Sequence, residues 1–427
     1  MSSRGGSAAE PMRSRVAVPA LYAGVALALI GMLAASAPAS ADAAPVPRLS
    51  ARGAIVIEER TGQALYGLDP NRRLPIASTT KLMTALLTLE HVRLGRIFAD
   101  PDYYAAAVDS QIGLVPGERM SVHDLLLALL LPSADDAAQD LAFNVGHGSV
   151  GRFVAMMNTR ARELGLVHTH YSTPIGLDTP GNYSSASDLV KLATFLREHQ
   201  PFFARAVALP SAVLHTGDHT RFLTNRNDLV GRVPWINGVK TGHTLGAGYV
   251  LVGSGTRHGM TLLSAVLGTP SQSARDADTL ALLDYGFAEF RLASPVRAEA
   301  VLATLSVSEQ PGVHAQVIAA GTFTTVVPRT TRLTTRVEVP QQLAGPLRRH
   351  AVVGHVLVLA NGRTIAAVPL LLAVPLAAVS PLTLAGRFVT RPPALAVIIA
   401  LLMVALGLAL LRRERARGRD QVGPEAA

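Results

Sequence analysis

Lysine is rare in this chain, and two of its three lysines stand in patterns that could do chemistry. Lysine and arginine together number 39, but lysine occurs only at positions 81, 191 and 240. An arginine keeps its proton near neutral pH, whereas a lysine can lose it when burial or neighbouring charges lower its pKa. A lysine in an arginine-rich chain is therefore a candidate for a task that requires a free amine.

Ser78 precedes the first of these lysines by three residues, in the segment LPIASTTKLMTALLTLEH. Apolar residues recur after Lys81 with helical spacing, and this pattern predicts a helix that starts near Ser78. Residues three apart on a helix share a face, so the serine hydroxyl and the lysine amine should lie side by side. A serine beside a base is the arrangement of nucleophilic catalysis, although a serine at a helix start could instead be a cap.

Two further motifs stand at predicted chain breaks. Ser133-Ala134-Asp135 follows Pro132 between two predicted helices, and Lys240-Thr241-Gly242 stands at the entrance of a predicted edge strand. Gly242 and Gly246 would let another segment approach closely. Alone, Ser133 could cap a helix and Lys240 could be a solvated edge charge. With the S-x-x-K pattern of Ser78 and Lys81 these make three motifs, and the three match in type and order the set found in penicillin-binding serine enzymes.

Longer segments carry a closer resemblance. PIASTTKLMTALL, VPGERM, DLLLALLLPSADDAA and KTGHTLGAGYVLVGS resemble the low-molecular-mass D-alanyl-D-alanine carboxypeptidases, which are penicillin-binding serine peptidases of the S11 type. The likeness runs from residue 52 to residue 290, and a weaker one covers a β-rich segment after it. It implies an α/β (α+β) fold, in which helices flank an antiparallel sheet with the active serine at its edge.

The resemblance implies catalytic roles for Ser78, Lys81 and Ser133. Ser78 would attack the carbonyl between two terminal D-alanines and form an acyl-enzyme, and Lys81 would take the serine proton. Ser133 would relay a proton to the leaving amine. The backbone N–H groups of Ser78 and His243 would form the oxyanion hole.

It also implies a substrate-binding set that contains Lys240, Thr241, Gly242, His243 and Asp135. Lys240 would offer a fixed positive charge, and Thr241 a hydroxyl, to the terminal carboxylate of the substrate. The expected partners are peptidoglycan stem peptides that end in D-Ala-D-Ala, with β-lactams as inhibitors. No cofactor is expected, and no metal site, because the histidines show no ligand spacing.

Asp135 departs from the family, which usually has asparagine there. An asparagine amide accepts from the lysine and donates to the substrate, whereas an ionised aspartate has no donor. We therefore expect Asp135 to weaken substrate binding and to raise the pKa of Lys81 by its charge.

Three other functions share parts of this pattern. A β-lactamase would need a Glu-x-x-x-Asn loop, but here Glu163 is followed four residues later by Val167. A catalytically weak muropeptide-binding wall protein is compatible with Asp135. A transpeptidase shares the acyl-enzyme, and the sequence leaves its acceptor open.

Composition and the two ends of the chain indicate an exported, anchored protein. The absence of cysteine excludes disulfide scaffolds and cysteine nucleophiles. Residues 1–41 read as a signal peptide, with an uncleaved anchor as the alternative. Residues 394–411 carry no charge and precede an arginine-rich tail, so they predict one membrane span with the body on the extracytoplasmic side. The formal charge of +9 comes with no basic–aromatic stripe, so no nucleic-acid partner is expected.

The predicted domain order follows from these segments. A serine peptidase domain covers residues 49–291, a small β-rich domain residues 295–380, and a linker residues 381–393. The membrane helix (394–411) and a cytoplasmic basic tail (412–427) complete the chain.

Overall fold

The computed structural model describes residues 46–101, 103, 110–308, 310–380, 386 and 392–419 of the 427-residue chain. The predicted signal peptide lies outside the described residues, and so do most of the predicted linker and the end of the predicted tail. The boundaries proposed for those segments therefore stay predictions.

Strands and helices alternate in the first part of the described chain, and strands dominate the later part. The strands are β1 (Gly53–Glu58), β2 (Ala64–Leu68), β3 (Ile97–Ala99), β4 (Arg119–Ser121), β5 (Ser211–Leu214), β6 (Arg221–Thr224), β7 (Ile236–Thr244), β8 (Gly248–Arg257), β9 (Met260–Thr269), β10 (Phe290–Val296), β11 (Val301–Val307), β12 (His314–Ala319), β13 (Phe323–Pro328), β14 (Leu333–Glu338), β15 (Gln342–Leu343), β16 (Val352–Ala360) and β17 (Arg363–Leu372). The helices are α1 (Lys81–His91), α2 (Val122–Leu130), α3 (Asp135–Val145), α4 (Val150–Glu163), α5 (Ala186–His199), α6 (Pro201–Ala206), α7 (Gln272–Glu289) and α8 (Pro392–Arg419). A short 3₁₀ turn covers Ala77–Thr80, and a helical turn covers Leu229–Arg232.

The central sheet has five antiparallel strands in the order β2-β1-β9-β8-β7. Successive side chains of a strand point to opposite faces, and β1 uses both faces for burial. Ile55 and Ile57 join a core formed with α1 to α6, whereas Ala54 and Val56 join a core formed with α7. The sheet is therefore covered by helices on both faces, which confirms the predicted α/β class.

Local signals set several helix ends where the sequence predicts them. The Ser121 hydroxyl accepts from the backbone N–H of Asp124 at 3.2 Å and caps α2, whose leucines are buried. Pro132 follows that helix, and α3 begins after Ser133. Two expectations differ in detail: α1 begins at Lys81, with Ser78 in the 3₁₀ turn before it, and Lys240-Thr241-Gly242 lies in the second half of β7.

The later part of the chain is β-rich, as the alternating valines and threonines predict. Six strands form a sheet in the order β14-β16-β17-β12-β11-β15, and β10 pairs with β13. These strands have a core of their own, which includes Val317, Val356 and Leu370. Within α8, residues Leu395–Arg415 have a mean hydropathy of 2.7 and are long and apolar enough to cross a membrane.

Candidate active site

The 3₁₀ turn before α1 presents Ser78 at the edge of the central sheet. Ala77 precedes it with φ of 48°, a left-handed conformation that non-glycine residues seldom adopt. Gly242 of β7 passes directly beside this turn: a Cβ on Gly242 would lie 3.0 Å from the Ser78 nitrogen and 3.0 Å from the Ile76 oxygen. A side chain there would push the strand away, so the expectation of a close approach at Gly242 is confirmed.

Lys81 reaches Ser78 from the first turn of α1. Its Nζ lies 2.9 Å from Ser78 Oγ, 2.6 Å from Asp135 Oδ1 and 2.9 Å from the Ile175 carbonyl oxygen. The lysine side chain is fully buried. An ammonium has three N–H donors, and these three acceptors match them. The arrangement fits a protonated Lys81 that donates to the serine, and it must lose a proton before it can act as a base.

Asp135 contacts the protein through both carboxylate oxygens. Oδ1 accepts from Lys81, and Oδ2 accepts from the backbone N–H of Ser110 at 3.0 Å. The Asp135 backbone N–H donates in turn to the Ser110 carbonyl at 2.6 Å. The side chain is 6% exposed. Asp135 therefore joins α1, α3 and the loop that contains Ser110.

Ser133 lies at the start of α3 in a strained conformation, with φ of 68°. Such a conformation costs on the order of 1–3 kcal/mol in a non-glycine residue, and these residues cluster at functional sites. Its hydroxyl is buried and has no hydrogen-bond partner within the described part of the chain. A polar group buried without a partner suits a position that a substrate or water fills.

A cleft of about 440 Å³ opens between these elements and β7. It is lined by Ser78, Ser110, Ser133, Arg226, Thr241, Gly242, His243, Tyr249, Gln272 and Arg275. Five of the predicted site residues are in this lining, and the other three, Lys81, Asp135 and Lys240, each hydrogen-bond to a lining residue. The structure therefore brings the whole predicted set together. The rings of His243 and Tyr249 pack together with centroids 4.0 Å apart.

Lys240 is also buried, but its surroundings differ from those of Lys81. Its Nζ donates to the Thr241 carbonyl at 3.1 Å. Burial holds the pKa of Lys240 well below its usual range; the charges of Lys81 and Arg226 lower it further, while Asp135 opposes them. The predicted fixed positive charge at this residue therefore depends on an anion in the cleft.

Arg226 and Arg275 are cleft residues that the sequence analysis missed. Both line the cleft, and Arg275 is nearly fully buried, with its guanidinium bonded to Asp276 Oδ1 at 2.7 Å. They come from the loop after β6 and from the start of α7, outside any motif. No spacing in the sequence singles them out from the other arginines. Their two positive charges lie near the buried Lys240, and we call this part of the cleft the basic wall.

A family model of D-alanyl-D-alanine carboxypeptidases, the S11 peptidases, matches residues 39–271, which is more than half of the chain. The chain belongs to this family.

Curated relatives in the family span different shares of the sequence. The D-alanyl-D-alanine carboxypeptidase DacF of Bacillus subtilis is 34% identical over 245 residues, which cover 56% of this chain and 63% of DacF. The chain thus spans less than two thirds of DacF. A D-alanyl-D-alanine carboxypeptidase of Streptomyces sp. strain K15 is 35% identical over 295 residues, or 65% of this chain and 100% of that protein.

The fold of this S11 chain also resembles that of penicillin binding protein 5 from Haemophilus influenzae. The two structures share a TM-score of 0.64 at 26% sequence identity, over 78% of this chain and 99% of that one. The coverage includes more than the residues matched by the family model, and the resemblance confirms the fold class.

One loop of the S11 domain, residues 172–182, forms hydrogen bonds both to α1 and to the end of β7. Its Ile175 carbonyl accepts from Lys81, and its Asp178 carboxylate accepts from the Thr244 hydroxyl at 2.6 Å and from the Gly246 N–H at 2.8 Å. A Cβ on Gly246 would come within 2.9 Å of Asp178, so the close approach predicted at Gly246 is also confirmed.

Glu163, the residue considered for a β-lactamase-type glutamate, lies at the end of α4. It is half exposed and pairs with Arg160 at 3.1 Å. It is absent from the residues that line the cleft. The position of Glu163 therefore does not support a role in activating the deacylating water.

Proposed function

We propose that this protein is a serine-type D-Ala-D-Ala carboxypeptidase that removes the terminal D-alanine from peptidoglycan stem peptides. The observation that carries the proposal is the 2.9 Å contact between Ser78 Oγ and Lys81 Nζ, because Ser78 lines a cleft that Arg226 and Arg275 also line. The serine supplies a nucleophile, and the basic wall suits a substrate that ends in a carboxylate.

Acylation begins when Lys81 has lost its proton. Lys81 then accepts the Ser78 proton as Oγ attacks the carbonyl carbon between the two D-alanines. The backbone N–H groups of Ser78 and His243 stabilise the oxyanion, since β7 holds these two segments side by side. The C–N bond breaks, and the proton that Lys81 took from Ser78 passes by way of the Ser133 hydroxyl to the leaving D-alanine amine.

Substrate binding depends on the basic wall. Arg226 and the Thr241 hydroxyl, which line the cleft, bind the terminal carboxylate together with the buried Lys240 beside them, and Gly242 keeps β7 close to the nucleophile. Water then hydrolyses the ester on Ser78 and releases the shortened peptide. The proposed steps use only water and the protein groups named here.

The cell location belongs to the same proposal. Helix α8 anchors the protein in the cell membrane as a single pass, with the peptidase and β-rich domains on the extracytoplasmic side, where peptidoglycan lies. The arginines after residue 411 favour a cytoplasmic tail.

Release of free D-alanine from a peptide that ends in D-Ala-D-Ala tests the activity, and intact-mass analysis after penicillin treatment tests the nucleophile. We expect one covalent adduct on the wild-type protein and none on Ser78→Ala. An adduct that persists in this variant would overturn the assignment of Ser78. Penicillin acylation without D-alanine release would support the catalytically weak binding protein instead.

A further inference from the structure

The surroundings of Asp135 fit a carboxylate and do not fit the asparagine that the family usually has. Both oxygens face donors: the Lys81 ammonium at 2.6 Å and the Ser110 backbone N–H at 3.0 Å. An asparagine in the same orientation would turn its NH₂ group towards one of these two donors. A carboxylate also has no N–H to offer, so Asp135 supplies no donor to a substrate.

Ser110 is fixed beside Asp135 by two backbone hydrogen bonds. Its N–H donates to Asp135 Oδ2, and its carbonyl accepts from the Asp135 N–H at 2.6 Å. The segment that follows Ser110 is also held by α3, because the N–H groups of Gly113 and Leu114 donate to Asp136 Oδ2 at 2.9 and 3.1 Å. The position of Ser110 is therefore set by α3, the same helix that begins with the second motif.

The Ser110 side chain lines the cleft together with Ser78 and Ser133. Within the described part of the chain its hydroxyl has no hydrogen-bond partner, in contrast with its backbone. Ser133 also has an unpartnered hydroxyl among the described residues, but it is buried just before α3, whereas Ser110 is partly exposed. A hydroxyl can donate, so Ser110 places a donor next to the residue that lacks one.

We propose that Ser110 is a substrate-binding residue whose hydroxyl donates to the amide carbonyl of the acyl half of the substrate, in place of the missing asparagine amide. The same hydroxyl donates to the side-chain amide carbonyl of an acylamino β-lactam. Asp135 acts as the positioning residue that holds Ser110 there. This inference rests on the proposed function, and it names the group that recognises the substrate amide in that site.

A double-mutant cycle on the full-length protein in detergent tests it, with the rate of acylation by benzylpenicillin as the readout. We expect Ser110→Ala to slow acylation about tenfold, as the loss of one neutral hydrogen bond does. In the Asp135→Asn background the NH₂ group cannot accept from the Ser110 N–H, so Ser110 loses this support and the NH₂ group can turn to the substrate and donate instead. Ser110→Ala should then lower the acylation rate less than about twofold. Ser110→Thr keeps a hydroxyl and should stay close to the parent in both backgrounds.

A second probe removes the carbonyl instead of the hydroxyl. A penicillin nucleus with a free amine in place of the acylamino group has no amide carbonyl, and its slower acylation should be insensitive to Ser110→Ala. Gln272→Ala is the matched control, because Gln272 also lines the cleft and carries an amide donor. Its effect should be the same in the parent protein and in the Asp135→Asn background.

Three results would overturn the inference: an equal effect of Ser110→Ala in both backgrounds, no effect of Ser110→Ala in the parent protein, or a background dependence at Gln272 as large as that at Ser110. If the parent forms no adduct at Ser78, the proposed function fails and not the role of Ser110 alone. Thermal unfolding by circular dichroism shows whether each variant is folded, and Ser110→Cys, of similar size with a weak donor, replaces Ser110→Ala if that variant unfolds.

Discussion

The two buried lysines on opposite sides of the cleft have opposite surroundings. Lys81, on the helical side, faces three acceptors that include the Asp135 carboxylate. Lys240, on the strand side, faces one backbone carbonyl and has Lys81, Arg226 and Arg275 as cationic neighbours. Lys81, the expected base, thus lies in a site that suits an ammonium. Lys240, the expected fixed cation, lies in a site that lowers its pKa and favours the neutral amine.

The difference indicates what a substrate carboxylate would change. A carboxylate beside Lys240 supplies the missing acceptor and raises the pKa of that lysine. It also counters the positive charge of the basic wall. The charge of Lys240 therefore depends on ligand binding, whereas the ammonium form of Lys81 is stabilised by acceptors that belong to the fold itself.

The largest effect should come from Lys81→Arg, which we expect to reduce penicillin acylation at least a thousandfold. An arginine keeps the charge but cannot accept the serine proton near neutral pH. Stopped-flow or intact-mass kinetics measures the rate. Acylation within tenfold of the wild type would show that Lys81 is not the base.

Lys240→Arg is the matched change on the other side of the cleft, and we expect a loss of about tenfold to a hundredfold in the same assay. A permanent cation still attracts a carboxylate, although the larger guanidinium fits a buried position poorly. If both arginine variants acylate equally well, the two lysines do not have separate roles.

Proton uptake should accompany the binding of a carboxylate ligand to the Ser78→Ala protein. The pKa of Lys240 is low in the empty cleft and rises when the carboxylate binds, so between these two values the complex holds more protons than the free protein. Affinity should accordingly fall as pH rises through this range. Calorimetry in buffers of different ionisation enthalpy measures the uptake, with a C-terminally amidated peptide as the control. Equal uptake for both peptides would contradict the prediction.

A second pair, Asp135 and Asp140 on α3, extends the comparison to carboxylates. Asp135 faces a lysine, whereas burial raises the pKa of Asp140 to about 7 and the charge of Asp100 adds to this. A raised folded-state pKa means that stability falls as pH rises from the unfolded value towards 7. Asp140→Asn should therefore stabilise the protein more at pH 8 than at pH 5, by about 2 kcal/mol. Chemical denaturation at the two pH values measures this, and a gain independent of pH would exclude ionisation as the cause.

The smallest effect should come from removal of α8, the helix that could cross a membrane. A chain that ends at residue 380 and lacks residues 1–41 should be soluble and should acylate at the wild-type rate, because within the described residues the lining of the cleft ends at Arg275. Sedimentation and the penicillin assay test this. Aggregation or loss of activity would mean that α8 packs against the body.

Much of the site could be predicted because its motifs are local. The three-residue spacing of Ser78 and Lys81 predicts that the two side chains share one face, and their 2.9 Å contact agrees, although Ser78 lies in the 3₁₀ turn and Lys81 begins α1. The strand pair around residues 257–259, the Ser121 cap and the close approach at Gly242 also follow from short patterns. The roles of the site residues in catalysis stay predictions, because contacts alone do not measure a reaction.

The sequence by itself determined the residue types of the motifs, the periods of the strands and helices, and an apolar segment long enough to cross a membrane. Only the tertiary structure decided which charges meet. Asp135 and Ser110 are 25 residues apart, and Arg226 and Arg275 reach the cleft from separate elements. Burial around Lys240 likewise comes from several distant segments. Local patterns set which face of an element is apolar, but the pKa and the partners of a buried group depend on every segment packed around it.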